Sequence, residues 1–189
     1  TGRGQLRVAL GIDQRNGREL NCCLSRAGRT LRIVAGGRPP AHLVRVASRP
    51  EDDIMGRHPA SRELVTLNRR PDAELSDGIL VYLFKASILF VNAEYFRERV
   101  RTALAARPDT QWLVLNTSAM VYADSAAVVT LEALKKKLDR DGIGLLMGGG
   151  HGHFIKVVQR SGLGELIGRE NQFITPEAAV AAAEALRDA

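Results

Sequence analysis

The stretch Ile79–Val100, ILVYLFKASILFVNAEYFRERV, sets how the rest of the chain is read. It opens on six apolar or aromatic residues and Lys85, a length and composition that predict a strand over Ile79–Lys85. The run Ile88–Val91 predicts a second short strand, close enough to the first for a hairpin. From Ala93 the period changes. Phe96, Val100, Ala103 and Leu104 recur at helical spacing and predict a helix from about Ala93 to Ala106. Asn92 precedes it as an N-cap candidate, because an amide oxygen there can accept a free first-turn N–H. Pro108-Asp109 ends it.

Downstream, the alternation continues. Trp112–Leu115 reads as a buried strand. A helix follows over Ser125–Arg140, with Ala127, Leu131, Leu134 and Leu138 on one face. Lys135-Lys136-Lys137 sits near its C-terminus, where cations favour the helix dipole. Asp141-Gly142 turns the chain into the strand Ile143–Met147. Gly148-Gly149-Gly150 leads to a helix over His153–Arg160, with Gly162 as its C-cap candidate. Phe173–Thr175 reads as a last short strand. Thr175-Pro176-Glu177 opens a terminal helix with a Thr cap, Pro at the first helical position and an acid in the first turn. Strands alternating with helices at this spacing predict an α/β domain. Its sheet is expected to be mixed but mostly parallel, with about four to five strands packed with about four helices.

Upstream, the pattern is weaker. Residues 51–78 are polar, contain Pro59, Pro71 and Gly78, and read as a connector with one short strand, Glu63–Leu67. The first fifty residues hold ten arginines against Asp13 and Glu19, whereas the remainder holds 17 basic and 19 acidic residues. The net charge of +6 therefore belongs to the N-terminal quarter. Such a segment suits a nucleic-acid-binding arm, a juxtamembrane stretch or a solvated lead-in. It has no aromatic residue to stack on bases, which argues against single-stranded nucleic acid. Leu6–Leu10 and Leu31–Ala35 are strand-like, with turn signals at Asn16-Gly17, Gly36-Gly37 and Pro39-Pro40. Cys22 and Cys23 are adjacent and no CxxC pair accompanies them, which suits a reducing compartment. No apolar run approaches the ~18–20 residues of a membrane span, and no signal-peptide pattern opens the chain. The organisation expected is a lead-in over 1–45, a juxtamembrane-like connector over 46–77 and a folded domain over 78–189.

From Arg45 onward the sequence resembles the C-terminal region of SulP-type sulfate and anion permeases, which carries a STAS domain. Val46-Ala47-Ser48-Arg49-Pro50 and Met55-Gly56-Arg57 begin the likeness. FVNAEYFR at Phe90–Arg97 is close to a signature of that family. WLVLNTSAMVYADSAAVVTL at Trp112–Leu131 resembles its strand, its loop with Asp then Ser or Thr, and its helix. Ile143–Leu163 and Phe173-Ile174-Thr175 resemble the units that follow. The resemblance implies a non-catalytic regulatory or interaction domain with the permease's membrane domain as partner and with homodimerisation open. It implies no nucleic-acid partner, and a place on the cytoplasmic face of a bacterial inner membrane as part of an integral membrane protein. Its alternatives are a stand-alone protein of the anti-sigma-factor-antagonist type and a weak nucleotide-binding module. The functional surface expected is the Asn116–Ser125 loop and the start of the following helix.

The candidate site residues follow from that alignment of motifs. In anti-sigma-factor antagonists the loop ends in Asp-Ser-Ser-Gly, and the second Ser accepts phosphate. Here Asp124 and Ser125 are present, but Ala126 and Ala127 hold the next two positions, so the usual switch is lost. Thr117, Ser118, Tyr122 and Ser125 remain as hydroxyls in or beside the loop. The ordinary role of Asp124 or Ser125 at a helix start is capping. Gly148, Gly149 and Gly150 form a loop between strand and helix that can cradle a phosphate, the only cofactor-like role expected. It lacks Gly-Lys-Ser/Thr and the dinucleotide fingerprint, and a tight turn is its ordinary reading. His151 and His153 lack the third and fourth convergent ligands a metal needs, so no metal site is expected. No GxSxG or HExxH motif occurs, and no catalytic residue is assigned.

Overall fold

The structure is a computed structural model. It describes residues 45 and 47–188, together with the backbone of 8–12, 20–26 and 29–33. Contacts divide the chain into two units, Thr1–Val46 and Ala47–Ala189.

In the first unit, β1 (Val8–Ile12), β2 (Leu20–Arg26) and β3 (Arg29–Ile33) form an antiparallel sheet in the order β1-β2-β3. Leu24 is opposite both Val8 and Leu31. The strand-like runs expected at Leu6–Leu10 and Leu31–Ala35 overlap β1 and β3. The central strand was not expected, although Leu20, Cys22 and Leu24 alternate with Asn21, Cys23 and Ser25 at the strand period. The expected turns at Asn16-Gly17, Gly36-Gly37 and Pro39-Pro40 lie outside the described residues.

In the second unit, β4 (Asp52–Arg57), β5 (Leu64–Thr66), β6 (Ile79–Phe84), β7 (Trp112–Asn116), β8 (Gly144–Gly148) and β9 (Gln172–Phe173) form one six-stranded sheet. Its order is β5-β4-β6-β7-β8-β9, antiparallel at the β5-β4-β6 pairings and parallel from β6 to β9. Between the strands run α1 (Ala93–Ala105), α2 (Ser125–Arg140), α3 (Gly152–Arg160) and the short α4 (Leu163–Ile167). After β9 comes α5 (Pro176–Arg187), capped by the Thr175 side chain, which accepts from the N–H of Ala178. No helix among the described residues is long and apolar enough to cross a membrane.

The sheet is mixed, as expected, but by a different route. Ile88–Val91 is not a strand. It lies in the loop between β6 and α1, and there is no hairpin there. The antiparallel element is β4, from the stretch read as a connector, which pairs Asp52 with Phe84 and Met55 with Val81. Its sequence, DDIMGR, begins with two carboxylates and contains a glycine, so propensity gives no strand signal. Tertiary contacts settle it. Tyr82 donates its hydroxyl to Asp52 at 2.8 Å, and Arg99 of α1 reaches the same carboxylate at 2.9 Å. Burial and the neighbouring Asp52 push the Tyr82 hydroxyl well above its ordinary range, so it stays a donor. The helix α4 is likewise additional to the four expected.

Two cores follow from the strand period of two. Leu80, Tyr82, Phe84, Leu113, Leu115, Leu145 and Met147 face α1 through α4, whose Phe96, Val100, Leu131, Leu138, Phe154 and Val158 bury against them. Ile79, Val81, Val114 and Leu146 face the other way, where Ala179, Val180 and Ala183 of α5 cover them. Those three small side chains contribute only about 3–4 kcal/mol of apolar burial. A polar clamp supplements them. Arg57 of β4 donates from Nε and Nη2 to both carboxylate oxygens of Glu184, at 3.1 and 2.9 Å. Ser76 donates to the same carboxylate, and Arg187 donates to the Asp77 carbonyl.

Both ends of β8 are glycine, Gly148 against the start of α5 and Gly144 against the Trp112 ring. A Cβ on Gly144 would sit 2.1 Å from the Trp112 ring, and one on Gly148 would sit 2.6 Å from the Thr175 carbonyl oxygen and 2.7 Å from Pro176 Cα. We expect Gly148→Ala to destabilise by about 2–3 kcal/mol, and Gly144→Ala by less, because a ring yields more readily than the backbone that starts α5. Urea unfolding of both variants checks the order. Arg57, through its hydrogen bonds, holds the Glu184 carboxyl below the usual carboxylate range. A depressed folded value contributes stability above the unfolded pKa, and that stability is lost as pH falls through the folded value. Glu184→Gln should therefore cost about 1–2 kcal/mol at neutral pH, and the deficit should close in acid. Unfolding curves at neutral and acid pH read it directly.

Candidate functional site

The carboxyl ends of the parallel strands β6, β7 and β8 bring the candidate residues together. β7 and β8 are in register from Trp112 opposite Gly144 to Asn116 opposite Gly148. The loop starting at Thr117 and the glycine loop starting at Gly149 therefore leave the sheet side by side. Thr117 is buried, and its N–H and hydroxyl both donate to the Gly148 carbonyl, at 2.8 and 3.0 Å. Ser118 donates its N–H to the Asn116 side chain at 2.9 Å, and its carbonyl accepts from His151 Nε2. An N–H on Nε2 is therefore the tautomer this contact requires. Tyr122 donates its N–H to the Ser87 hydroxyl, and its ring stacks on His153 with centroids 4.4 Å apart. The histidines thus tie the glycine loop to the hydroxyl-bearing loop.

The glycines are shaped by the same packing. Gly149 has φ +88°, a left-handed conformation that favours glycine, and a Cβ there would sit 2.2 Å from Ser118 Oγ. Gly148 lies against the start of α5, as described above. Gly150 alone of the three borders a cleft of about 580 Å3, which Phe154, Val158, Phe173 and Ile174 also line.

Asp124 and Ser125 stand at the other end of the loop. Asp124 has an extended backbone and caps α2, its Oδ1 accepting from the Ala127 N–H at 3.0 Å. Its Oδ2 accepts from the Phe90 N–H at 3.0 Å. One carboxylate thereby joins the start of α2 to the loop before α1. With each oxygen already on a backbone N–H, its work in this arrangement is positional. Ser125 is exposed as the first residue of α2, and Ala126 beside it is half-buried.

Asn92, expected to cap α1, does not. Its Oδ1 accepts from the Leu89 N–H, and its Nδ2 donates to the Ser87 and Ala47 carbonyls. It folds the loop 85–92 onto itself, and Phe90 is left outside. The strand-like composition of Ile88–Val91 hides the loop's place in the site. The polar pair Ser87 and Asn92 flanking that run was the available signal, since short polar side chains bond nearby backbone in turns. Among the described residues, no group of three His, Cys, Asp or Glu side chains is placed to hold a metal ion.

Comparison with known proteins adds what geometry does not. The STAS domain family model matches residues 70–181. Sulfate transporter 3.1 of Arabidopsis thaliana is 29% identical over 160 residues, which are 79% of this chain and 24% of the relative. A probable sulfate transporter of Mycobacterium tuberculosis is 30% identical over 141 residues, 74% of this chain and 25% of the relative. The chain thus spans about a quarter of the length of these curated relatives. Among solved structures, the SulP transporter STAS domain from Vibrio cholerae aligns with TM-score 0.53 and 24% identity, covering 65% of this chain and 93% of that one. The overall structure of SLC26A9 aligns with TM-score 0.69 and 18% identity, covering 78% of this chain and 26% of that one. These two likenesses concern the fold.

Replacing Asp124 with Ala removes a cap and a bond to Phe90 at once. We expect a loss of about 1–3 kcal/mol. Amide exchange should quicken first at Phe90 and Ala127, while Val114 in β7 keeps its protection. Equal acceleration throughout would mean that Asp124 supports the whole fold instead of the loop.

Proposed function

The chain belongs to the STAS domain family, and on that premise we propose that it is the non-catalytic regulatory and interaction domain of a SulP-type sulfate or inorganic-anion permease, held at the cytoplasmic face of the membrane against the permease's membrane domain. The observation that carries this reading is the kinship with sulfate transporters over three quarters of the chain. The site supports it chemically. Asp124 uses both oxygens on backbone N–H groups, which fits a positional role. Where antagonists of the anti-sigma type carry the phosphate-accepting Ser, this chain has Ala126, so regulation runs through contact in preference to phosphate transfer at that position.

An antibody to this domain, applied to separated membrane and soluble fractions of the source cells, tests the reading. A membrane-bound band much larger than 20.6 kDa is expected. A soluble band near 20.6 kDa would overturn it in favour of a stand-alone STAS protein.

A further inference from the structure

The turn between β4 and β5, residues 58–63, is held by its own backbone. The N–H of His58 donates to the Glu63 carbonyl at 2.9 Å, and that of Arg62 donates to the His58 carbonyl at 2.8 Å. Arg62 closes the turn in the left-handed region, at φ +60°. The His58 ring folds back over this turn. Its Nδ1 accepts from the N–H groups of Ala60 and Ser61, at 3.3 and 3.1 Å.

Two backbone donors on one ring nitrogen decide the ring's orientation, since a flipped ring would offer them a carbon. They decide the tautomer as well. A neutral imidazole has one acceptor nitrogen, here Nδ1, so the proton is on Nε2. Yet Nε2 lies 3.0 Å from Nη2 of Arg70, and a guanidinium has only donors. Two donors therefore face each other. The opposite tautomer moves the conflict, by aiming Nδ1–H at two N–H groups, and an imidazolium has no acceptor at all. Three donors converge on a ring that accepts at one nitrogen, and an acceptor is missing between His58 and Arg70.

The neighbouring charge selects that acceptor. Arg69 and Arg70 stand exposed side by side in the chain. Among the described residues neither guanidinium has a carboxylate partner. Glu74 pairs with Arg62, and Glu63 accepts from the Ser61 hydroxyl. A water would supply an oxygen and leave both positive charges uncompensated, whereas an oxyanion supplies oxygen and charge together. Guanidinium groups match the oxygens of a tetrahedral anion bidentately, and Nε2–H adds a donor from a fixed position.

We propose that His58 and Arg70, with Arg69 beside them, form a binding site for a free tetrahedral oxyanion of the sulfate or phosphate kind. The site lies at the amino-end pole of the parallel strands, opposite the carboxyl-end pole where Asp124 and Gly150 stand. It does not depend on the assignment to a permease, so its test leaves that assignment untouched.

The full chain, labelled with nitrogen-15, is titrated with sodium sulfate and with sodium phosphate, against sodium chloride at matched ionic strength. At about pH 8, where an ordinary imidazole is neutral, the His58 nitrogens should report a bare Nδ1 and a protonated Nε2. Sulfate or phosphate should give saturable shifts at His58 Nε2, the Arg70 side chain and the Ala60 and Ser61 amides. Chloride should give none that saturate. Arg70→Gln should weaken the binding about tenfold, as the loss of a charged donor does. Arg70 is exposed, and an unchanged unfolding midpoint confirms that the variant stays folded. Glu63→Gln and Asp72→Asn, which remove nearby carboxylates of the chain, should leave the His58 signals in place. If either variant moves the His58 nitrogens as Arg70→Gln does, the missing acceptor is a carboxylate of the chain and the proposal falls. A protonated Nδ1, or sulfate and phosphate shifts that match chloride and never saturate, would overturn the site. Binding to vesicles of phosphatidic acid without a response to either free anion would overturn the free-anion occupant.

Discussion

A parallel sheet must be covered on both faces, and among the described residues one of the two faces is covered by a single helix. That constraint organises the second unit. Four helices share the face of Leu80, Leu113 and Leu145, whereas α5 alone lies on Ile79, Val81, Val114 and Leu146. A lone helix can seal a sheet only by approaching closely, and it does so with Ala179, Val180 and Ala183. Close approach then dictates glycine at Gly148, where α5 starts, whereas at Gly144 it is the Trp112 ring of β7 that leaves no room for a Cβ. It also gives the Arg57–Glu184 pair its place. The pair ties α5 to β4, and β4 is the strand whose antiparallel pairing makes the sheet mixed.

The same geometry separates the two poles. Strands β6, β7 and β8 share one direction and one register, so their following loops emerge together. Those loops are held to one another by short-range bonds. Asp124 reaches the Phe90 backbone, Ser87 the Tyr122 backbone, Thr117 the Gly148 carbonyl and His151 the Ser118 carbonyl. Many of their polar groups are used in building the pole, and Phe90, Val121, Tyr122 and Ile174 stand exposed there beside Lys85, His151 and Thr175. The glycine loop, which sequence alone offers as a phosphate cradle, is occupied in this arrangement mainly by its own neighbours. Ser118 fills the space beside Gly149 and the start of α5 the space beside Gly148, while Gly150 keeps an open side toward the cleft.

Periodicity and caps by themselves determined the α/β class, helices α1, α2 and α3 to within a residue or two, the start of α5 with its Thr175 cap, and strands β6 through β8, because each rests on local signals. Motif order likewise made the STAS kinship legible. Three things were decided only by tertiary structure. The strand β4 has carboxylates and a glycine where strand formers are expected, and it forms because β6 needs a partner on that edge and Tyr82 and Arg99 neutralise Asp52. The run Ile88–Val91 has strand composition but leaves the sheet, because Asn92 and Asp124 bond its backbone into a loop. The gathering of exposed apolar side chains at the carboxyl ends of the strands is invisible along the chain. Its members are far apart in sequence, and only a shared strand direction sets Phe90, Val121 and Ile174 at one end of the sheet.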